Sequence, residues 1–256
     1  MEEKAIRFDK YGPPSVLSLV DIERPALRSG EVLVEIKASA INPSDVGNVA
    51  GAFQAELPRV PGRDFAGVVV EGGGDEWNGK EVWGSGAGLG VKKDGSHAQY
   101  VAIPLDWLSA KPANLSMGEA SAVGVPYLVS WKALVDAADI QSGETVLITG
   151  VAGAVGQAAT QIAHWMGATV IGADLGEKPS DADMSINTKD KDLDAEVKRL
   201  TNNKGRGSGA RCCRRPDVRA GAQIAPPWRK AGGDHERRPP APRIRYDGFP
   251  ITISSG

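Results

Sequence analysis

Hydrophobic and polar positions alternate in the first part of the chain as they do in β-strands. Residues 31–41 place small and apolar side chains on one face of an extended strand, namely Val32, Val34, Ile36, Ala38 and Ala40. Turn-rich clusters separate further short β-rich runs, at residues 65–71, 81–83 and 97–103. Repeated short strands without intervening helices predict an antiparallel barrel or sandwich in residues 1–115.

The pattern changes near Leu115, where a long helix-compatible stretch begins with Ser116 and Glu119 at the spacing of a capping box. A compact apolar strand is predicted at residues 145–149, and a glycine-rich segment follows it directly. Apolar residues then recur every three or four positions up to Met166, which predicts a helix, and residues 169–173 form another buried strand. This order predicts a strand–helix–strand unit within a second domain, residues 116–204.

The glycine-rich segment carries the strongest chemical signal, because it follows a strand and opens a helix. Glycines allow a tight turn and a close approach of the backbone to a pyrophosphate, and a helix N-terminus supplies free N–H groups. The predicted cofactor-binding residues of this loop are Gly150, Ala152, Gly153, Ala154, Val155 and Gly156. The first glycine interval differs from G-x-G-x-x-G, so a tight turn that binds nothing is the alternative.

Asp174 ends the second strand of this unit, 18 positions after Gly156. An acidic residue at this place commonly accepts hydrogen bonds from the adenosine ribose and repels a 2′-phosphate, which favours NADH. Lys178 lies close enough in sequence to meet such a phosphate, which would favour NADPH. The alternative for each residue is a solvated charge in a loop.

Composition excludes several classes of protein. The chain has 256 residues, 41% hydrophobic and 24% charged, which is enough to bury one or two cores. No window approaches the roughly 20 apolar residues of a membrane span, and no signal peptide begins the chain, so we expect a soluble, cytoplasmic protein. Both cysteines, Cys212 and Cys213, lie in the last segment, so residues 1–204 contain no thiol for a disulfide or a metal.

Residues 205–256 differ sharply from the rest. They contain ten Arg and seven Pro, and they hold 11 basic against 4 acidic residues, whereas residues 1–204 hold 19 against 28. This composition is not expected to complete a parallel sheet, so we expect a disordered tail. Permitted codons for residues 206–215, read one base later, encode Ala-Asp-Leu-Val-Leu-Asp-Ala-Val-Gly-Gly, which is a buried strand and a glycine turn. A shift of reading frame near Gly205 therefore explains the segment, and a basic nucleic-acid-binding tail is the alternative.

Four motifs within residues 4–204 resemble the zinc-independent quinone oxidoreductase branch of the medium-chain dehydrogenase/reductase superfamily. They are the segments 40–45 (AINPSD), 60–67 (VPGRDFAG), 95–101 (GSHAQYV) and the glycine loop 150–156. The resemblance implies an α/β protein with a GroES-like substrate domain and an incomplete Rossmann-type nucleotide domain. It also implies hydride transfer from NAD(P)H to a quinone, an enone or a related activated carbonyl.

The same resemblance implies that no metal takes part. Metal-dependent relatives have Cys at the position of Asn42 and Gly-His-Glu at the position of residues 62–64, and this chain has neither. His97 and His164 are interpreted as structural residues. Polarisation of the substrate oxygen would then fall to hydrogen-bond donors.

Asn42 and Asp45 are the candidate catalytic residues, since the resemblance places them beside the nicotinamide. Asn42 would donate to a carbonyl or to the nicotinamide ribose, and Asp45 would orient that network. The alternative is that Asn42, Ser44 and Asp45 only cap a short turn. No residue is assigned as the proton donor, and solvent serves that role.

The predicted partners are a small-molecule substrate and a second copy of the intact protein, with no nucleic acid or membrane. Two other functions stay open. One is a metal-free enzyme of the alcohol dehydrogenase type, and the other is a nucleotide-binding protein without turnover. The sequence as printed is expected to be inactive, because it supplies only the first half of the nucleotide domain.

Overall fold

The structure is a computed structural model, and it describes residues 2–86 and 88–202 together with the backbone of three short strands at 211–213, 244–246 and 249–251. The chain divides into two compact units, residues 1–125 and 126–256. The division falls within the helix Met117–Trp131. Each unit is described by itself below.

The first unit is rich in β-structure. Its strands and helices, in chain order, are β1 (Glu2–Phe8), β2 (Leu17–Glu23), β3 (Glu31–Ser39), α1 (Pro43–Val49), β4 (Asp64–Glu71), α2 (Gly74–Trp77), β5 (Glu81–Ser85), β6 (Tyr100–Pro104), β7 (Ser109–Ala110) and the start of α3 (Met117–Trp131). Two 3-10 turns lie at Pro14–Val16 and Leu105–Trp107.

Five antiparallel strands form the main sheet of this unit, in the order β6-β3-β4-β5-β7. The predicted β-rich N-terminal domain is therefore confirmed. Val32 and Val34 face the core as the alternation predicts, but Leu33, on the opposite face, is buried as well. The core of the sheet also contains Phe65 and Ile103.

The sequence analysis did not predict the hairpin β1–β2, which forms a separate two-stranded antiparallel sheet. The hairpin joins the segment that precedes β6, since the Ile6 N–H donates to the His97 carbonyl and the Gln99 N–H donates to the Lys4 carbonyl. Strand β1 mixes charged and apolar residues without strict alternation, so the local sequence does not predict it. These backbone hydrogen bonds to a distant segment hold the strand in place.

The second unit contains an α/β arrangement. Helix α3 continues into a π-helical segment, Lys132–Ala137, and the elements that follow are β8 (Thr145–Thr149), α4 (Ala154–Trp165), β9 (Thr169–Asp174), β10 (Met184–Asn187), α5 (Leu193–Leu200), β11 (Arg211–Cys213), β12 (Ile244–Tyr246) and β13 (Phe249–Ile251). Strands β12 and β13 pair with each other.

The sheet of this unit has the order β10-β9-β8-β11, and its strands are parallel. Alanines and Ile162 on α4 pack against Val146, Ile148 and Val170 of the sheet. The predicted strand–helix–strand unit is thus confirmed, as is a partial Rossmann-type fold. Among the described residues, none of the helices is both long enough and apolar enough to cross a membrane.

One expectation about residues 205–256 needs correction. The sequence analysis expected no strand from this segment in the parallel sheet, yet β11 pairs with β8 through residues 211–213, opposite Val146–Ile148. The reason is physical: β8 has a free edge, and a ladder needs only backbone N–H and C=O groups, which any residue except proline supplies. The shifted reading frame assigns its strand to this same position beside β8. The other expectations for the segment, including disorder, lie outside the described residues.

A buried carboxyl group in β1 gives the first unit a pH-dependent stability. Glu3 is only 3% exposed, and within the described structure neither carboxylate oxygen makes a well-formed hydrogen bond. Burial raises the pKa of Glu3 to about 7, against the opposing effects of the Tyr100 backbone and Arg24. The folded chain therefore keeps Glu3 protonated up to about pH 7, well above the ordinary range of a carboxyl group.

We predict that Glu3→Gln stabilises the chain at pH 8 and changes little at pH 4. In the parent chain stability falls between the ordinary carboxyl pKa of 4.5 and the folded pKa of about 7, because the folded state holds the proton more tightly. The loss reaches at most about 3 kcal/mol above pH 7. Urea unfolding at several pH values measures it, with Glu2→Gln on the exposed side of the same strand as the control. Equal effects of the two substitutions at pH 8 would contradict the prediction.

Candidate cofactor and active-site residues

The glycine loop joins β8 to α4 and is held by backbone hydrogen bonds. Gly150 has a φ of +67°, a conformation that favours glycine. Its N–H donates to the Ala173 carbonyl on β9 at 2.7 Å, and the Gly153 N–H donates to the Gly150 carbonyl at 2.9 Å. The loop therefore turns sharply at the carboxyl end of the sheet and leads directly into the helix.

The N-terminus of α4 fits an anionic group. Gly153 occupies the N-cap position and has no side chain to accept hydrogen bonds from the first N–H groups of the helix. At Gly156 a Cβ atom would collide with the Gly150 carbonyl oxygen and with Val151, so only glycine lets the helix come this close to the loop. Free N–H groups and the positive end of the helix dipole favour binding of a phosphate here.

Asp174 lies at the end of β9, and both of its carboxylate oxygens accept hydrogen bonds. Oδ2 accepts from the Ala152 N–H at 3.1 Å, and Oδ1 accepts from the Leu175 N–H at 2.7 Å and from Lys178 Nζ at 3.0 Å. Burial alone would raise the pKa of Asp174, but the hydrogen bonds from Lys178, Leu175 and Ala152 outweigh it, and the pKa is lowered. Asp174 therefore carries a negative charge at neutral pH, and Lys178 neutralises part of it.

These contacts bring the predicted cofactor residues together in the second unit. Ala152 gives its N–H to Asp174, so it organises the loop and does not offer that N–H to a ligand. Ala154, Val155 and Gly156 supply the first N–H groups of α4. The Lys178 side chain is half-exposed, and its Nζ lies 3.0 Å from Asp174 Oδ1. A group that binds the Asp174 carboxylate would therefore also meet the Lys178 charge.

In the first unit, Asn42 and Asp45 lie together at the start of α1. Asn42 is the N-cap residue, and its backbone N–H donates to Asp45 Oδ2 at 2.8 Å in a reciprocal capping box. Asp45 Oδ1 lies 3.3 Å from Arg63 Nε, and all three residues are buried. The capping role, considered as an alternative to a role in chemistry, is therefore present, and an ion pair adds to it.

Asp64 connects this cluster to the rest of the unit. Its Oδ2 accepts hydrogen bonds from Asn42 Nδ2 at 2.8 Å and from the Val125 N–H at 2.9 Å, while Oδ1 accepts from Ser85 Oγ at 2.5 Å. The side chain is completely buried. Burial raises the pKa of Asp64, and the nearby Asp45 charge adds to this effect, while the donors Ser85, Val125 and Asn42 oppose it.

The two histidines of the described residues belong to different units. His97 Nε2 lies 3.2 Å from the Ala40 carbonyl oxygen, and its ring fills the space beside Gly62 that a Cβ atom would need. His164 Nε2 lies 3.0 Å from Asp183 Oδ2 in the second unit. Among the residues that the structure describes, no three His, Cys, Asp or Glu side chains form a group that could hold a metal ion.

Sequence reasoning noted Arg63 and Asp64 only as departures from a metal-binding motif, and it missed Ser85 and Val125. A signal for the first two was available, because two charged residues stand at the entrance to an apolar strand, residues 65–70, where burial is expected. Nothing in the local sequence marks Ser85 or Val125, since only the packing of β5 and α3 brings them to Asp64.

The fold and the site together define a class of protein: a β-rich GroES-like unit followed by a strand–glycine loop–helix unit that fits a dinucleotide. The model of the alcohol dehydrogenase GroES-like domain matches residues 28–113. A solved NAD-dependent alcohol dehydrogenase is 32% identical, with a TM-score of 0.74, and the match covers 79% of this chain and 68% of that one. The chain belongs to the medium-chain dehydrogenase/reductase superfamily, which includes alcohol dehydrogenases and quinone oxidoreductases.

Two further relatives show the range of names in this family. A zinc-type alcohol dehydrogenase-like protein of Schizosaccharomyces pombe is 41% identical over 172 residues, which covers 66% of this chain and 52% of that protein. The quinone oxidoreductase of Escherichia coli, solved with NADPH, is 27% identical with a TM-score of 0.71, over 78% of this chain and 63% of that one. The chain spans about half the length of the curated relatives it matches.

We predict that Gly156→Ala destabilises the second unit by about 2 kcal/mol or more, because the new methyl group forces α4 away from the loop. Thermal or urea unfolding measures the loss. Gly118→Ala is the matched control, since Gly118 is also helical and its new Cβ would lie 3.9 Å from the nearest atom, Ser116 Oγ. That control is expected to be neutral or slightly stabilising. Equal stability of the two variants would show that the close approach at Gly156 is not needed.

Proposed function

We propose that the chain carries the substrate-binding and first nucleotide-binding parts of an NAD(P)H-dependent, zinc-independent reductase of quinones, enones or related activated carbonyls. The observation that carries this proposal is the glycine loop at the carboxyl end of β8. There the uncapped N-terminus of α4 and the carboxylate of Asp174 lie at the two places where a dinucleotide needs a phosphate site and a ribose site.

Each part of the chain has a defined task in this proposal. The first N–H groups of α4 bind the pyrophosphate, Asp174 binds the adenosine ribose, and Lys178 is the residue that would meet a 2′-phosphate. A bound reduced nicotinamide supplies the hydride. Asn42 donates a hydrogen bond at the nicotinamide or at the substrate oxygen, Asp45 holds Asn42 through its backbone N–H, and solvent supplies the proton that completes reduction.

The contacts of Asn42, Arg63 and Asp64 support independence from zinc. In metal-dependent relatives these three positions hold Cys, His and Glu. Here Asn42 Nδ2 donates to Asp64, and Arg63 pairs with Asp45, so each of the three side chains is engaged with another protein side chain. Asn42 and Arg63 also present nitrogen atoms that carry protons, and these do not bind Zn²⁺.

We predict that protein made without added metal contains far less than one zinc per chain. Elemental analysis of the purified chain measures this, before and after dialysis against a chelator. The chelator is expected to leave the unfolding temperature unchanged, because no group of His, Cys, Asp or Glu side chains among the described residues could hold a metal ion. One zinc per chain that survives dialysis would contradict zinc independence.

Two other functions compete with this proposal. The first is a metal-free enzyme of the alcohol dehydrogenase type, and similarity to a solved NAD-dependent alcohol dehydrogenase favours alcohol oxidation as its reaction. A nucleotide-binding protein without turnover is the other candidate, because the fold does not by itself guarantee chemistry. For the intact protein we also propose a cytoplasmic location, and we propose a homodimer from the family resemblance.

The printed chain is proposed to be inactive. Among the described residues its sheet continues beyond β8 only with β11, whereas a doubly wound domain builds its cofactor crevice from strands of both halves. The shifted reading frame restores an apolar strand and a glycine turn at this position. A chain with the restored frame is therefore the appropriate partner in any functional comparison.

The decisive experiment measures binding of NADH and NADPH, and turnover of quinone, enone and alcohol substrates, by the printed and the frame-restored chains. We expect tight binding and reduction of a quinone or enone by the restored chain only. We also expect a preference for NADH of about tenfold, because the Asp174 charge opposes a 2′-phosphate. A preference for NADPH would show that Lys178 dominates. Binding without turnover would favour the nucleotide-binding protein, and equal activity of both chains would contradict the frame shift.

A further inference from the structure

Asp64 is the most extensively hydrogen-bonded buried charge in the first unit among the contacts described above. Its carboxylate accepts from three donors on three different elements: the N-cap residue of α1, the last residue of β5 and a backbone N–H within α3. Gly124 makes the last contact possible, because a Cβ atom there would overlap the Asp64 carboxylate. The position of this carboxylate is therefore set from several directions at once.

The contact with Asn42 determines which way the Asn42 amide points. An ionised carboxylate only accepts hydrogen bonds, so the Asn42 side chain must turn its nitrogen, and not its oxygen, toward Asp64. The amide oxygen then faces away from Asp64, on the residue that forms the N-cap of α1. Among the described contacts, the second N–H of the Asn42 amide has no hydrogen-bond partner.

We propose that Asp64 is a positioning residue that fixes the Asn42 amide with its nitrogen inward, so that Asn42 serves a bound nicotinamide nucleotide only as a hydrogen-bond donor. This inference rests on the proposed function. It decides between donor and acceptor at Asn42, a choice that the residue type leaves open because an amide can do both.

Arg63 and Asp45 complete the electrostatic setting. Their ion pair lies beside the Asn42–Asp64 pair, so the buried carboxylate of Asp45 is balanced by a guanidinium while Asp64 depends on neutral donors. A protonated Asp64 can donate a hydrogen bond as well as accept one. The Asn42 amide would then no longer have to turn its nitrogen toward Asp64. The raised pKa of Asp64 therefore predicts that the Asn42 amide responds to pH above the ordinary range of a carboxyl group.

The first test needs no ligand. In the full chain labelled with ¹⁵N, the side-chain NH₂ group of Asn42 is identified as the signal missing from Asn42→Ala. We expect one of its two protons to exchange slowly with solvent and both to shift as Asp64 titrates. Ser39→Ala is the matched control, because Ser39 donates to the Asp64 backbone carbonyl and not to the carboxylate, and it should leave the signal unchanged. Fast exchange of both protons, or no response to pH, would overturn the proposal.

The second test introduces two substitutions of Asp64 into the frame-restored chain and titrates each variant with NADH. Asp64→Ala should weaken binding about tenfold and should have less than about a twofold effect when Asn42 is already Ala. Asp64→Asn should retain binding within about twofold, since its amide oxygen can accept from Asn42 and Val125 while its nitrogen donates to Ser85. It should also abolish the pH response of the Asn42 signal. Equal losses with and without Asn42 would mean a purely structural role and overturn the proposal.

The two tests separate this inference from the proposed function. If the frame-restored chain shows no NADH binding at millimolar concentration while the Asn42 signal behaves as expected, the cofactor proposal fails and the positioning by Asp64 stands. If Asp64→Ala does not fold, the pH titrations of the parent chain and of Asp64→Asn still decide the matter, because only an ionisable Asp64 can make the Asn42 amide respond to pH.

Discussion

The carboxylate of Asp64 is completely buried, and a buried charge is stable only when hydrogen-bond donors replace the water it has lost. The donors come from α1, β5 and α3, so these elements must meet β4 at one point. The same requirement orders Asn42, whose amide is one of the donors. A single electrostatic constraint therefore links the sheet of the first unit to the residues that we assign to chemistry.

The second unit depends on a steric constraint instead. Gly156 lets α4 approach the loop that leaves β8, and Gly150 adopts a left-handed conformation so that the chain can turn. This close approach keeps the start of the helix beside the end of β9, where Asp174 binds the loop through Ala152. In the part of the chain that the structure describes, the N-cap residue of α4 makes no side-chain hydrogen bond to the first N–H groups of the helix, which favours a phosphate there.

Strand β11 shows how weakly a parallel sheet specifies the sequence of its next strand. The segment Arg-Cys-Cys carries no apolar pattern, yet its backbone pairs with β8 along three residues. The backbone groups at the edge of β8 require partners, and the shifted reading frame supplies an apolar strand for the same place. Pairing in the sheet is thus a matter of backbone geometry, whereas a packed core requires the right side chains.

Much of the fold could be predicted from the sequence, because periodicity reports local structure. Strands β3, β4, β5 and β6, the helix cap at Ser116 and the strand–loop–helix at residues 145–165 follow from spacing, and the structure has each of them. Asp174 was also placed correctly at the end of its strand. The hairpin β1–β2 was missed, since its first strand is held by backbone bonds to residues 97–99, a distant segment.

For the candidate site, the sequence by itself determined which residue types are present: a glycine loop before a helix, an acid at the end of the next strand, and Asn, Arg and Asp at residues 42, 63 and 64. Only the tertiary structure decided which of them bond to one another. Asp174 pairs with Lys178, Asp45 with Arg63, and Asn42 with Asp64. Hydrogen bonds and ion pairs act over about 3 Å, and residues far apart in the sequence reach that distance only when their strands and helices pack.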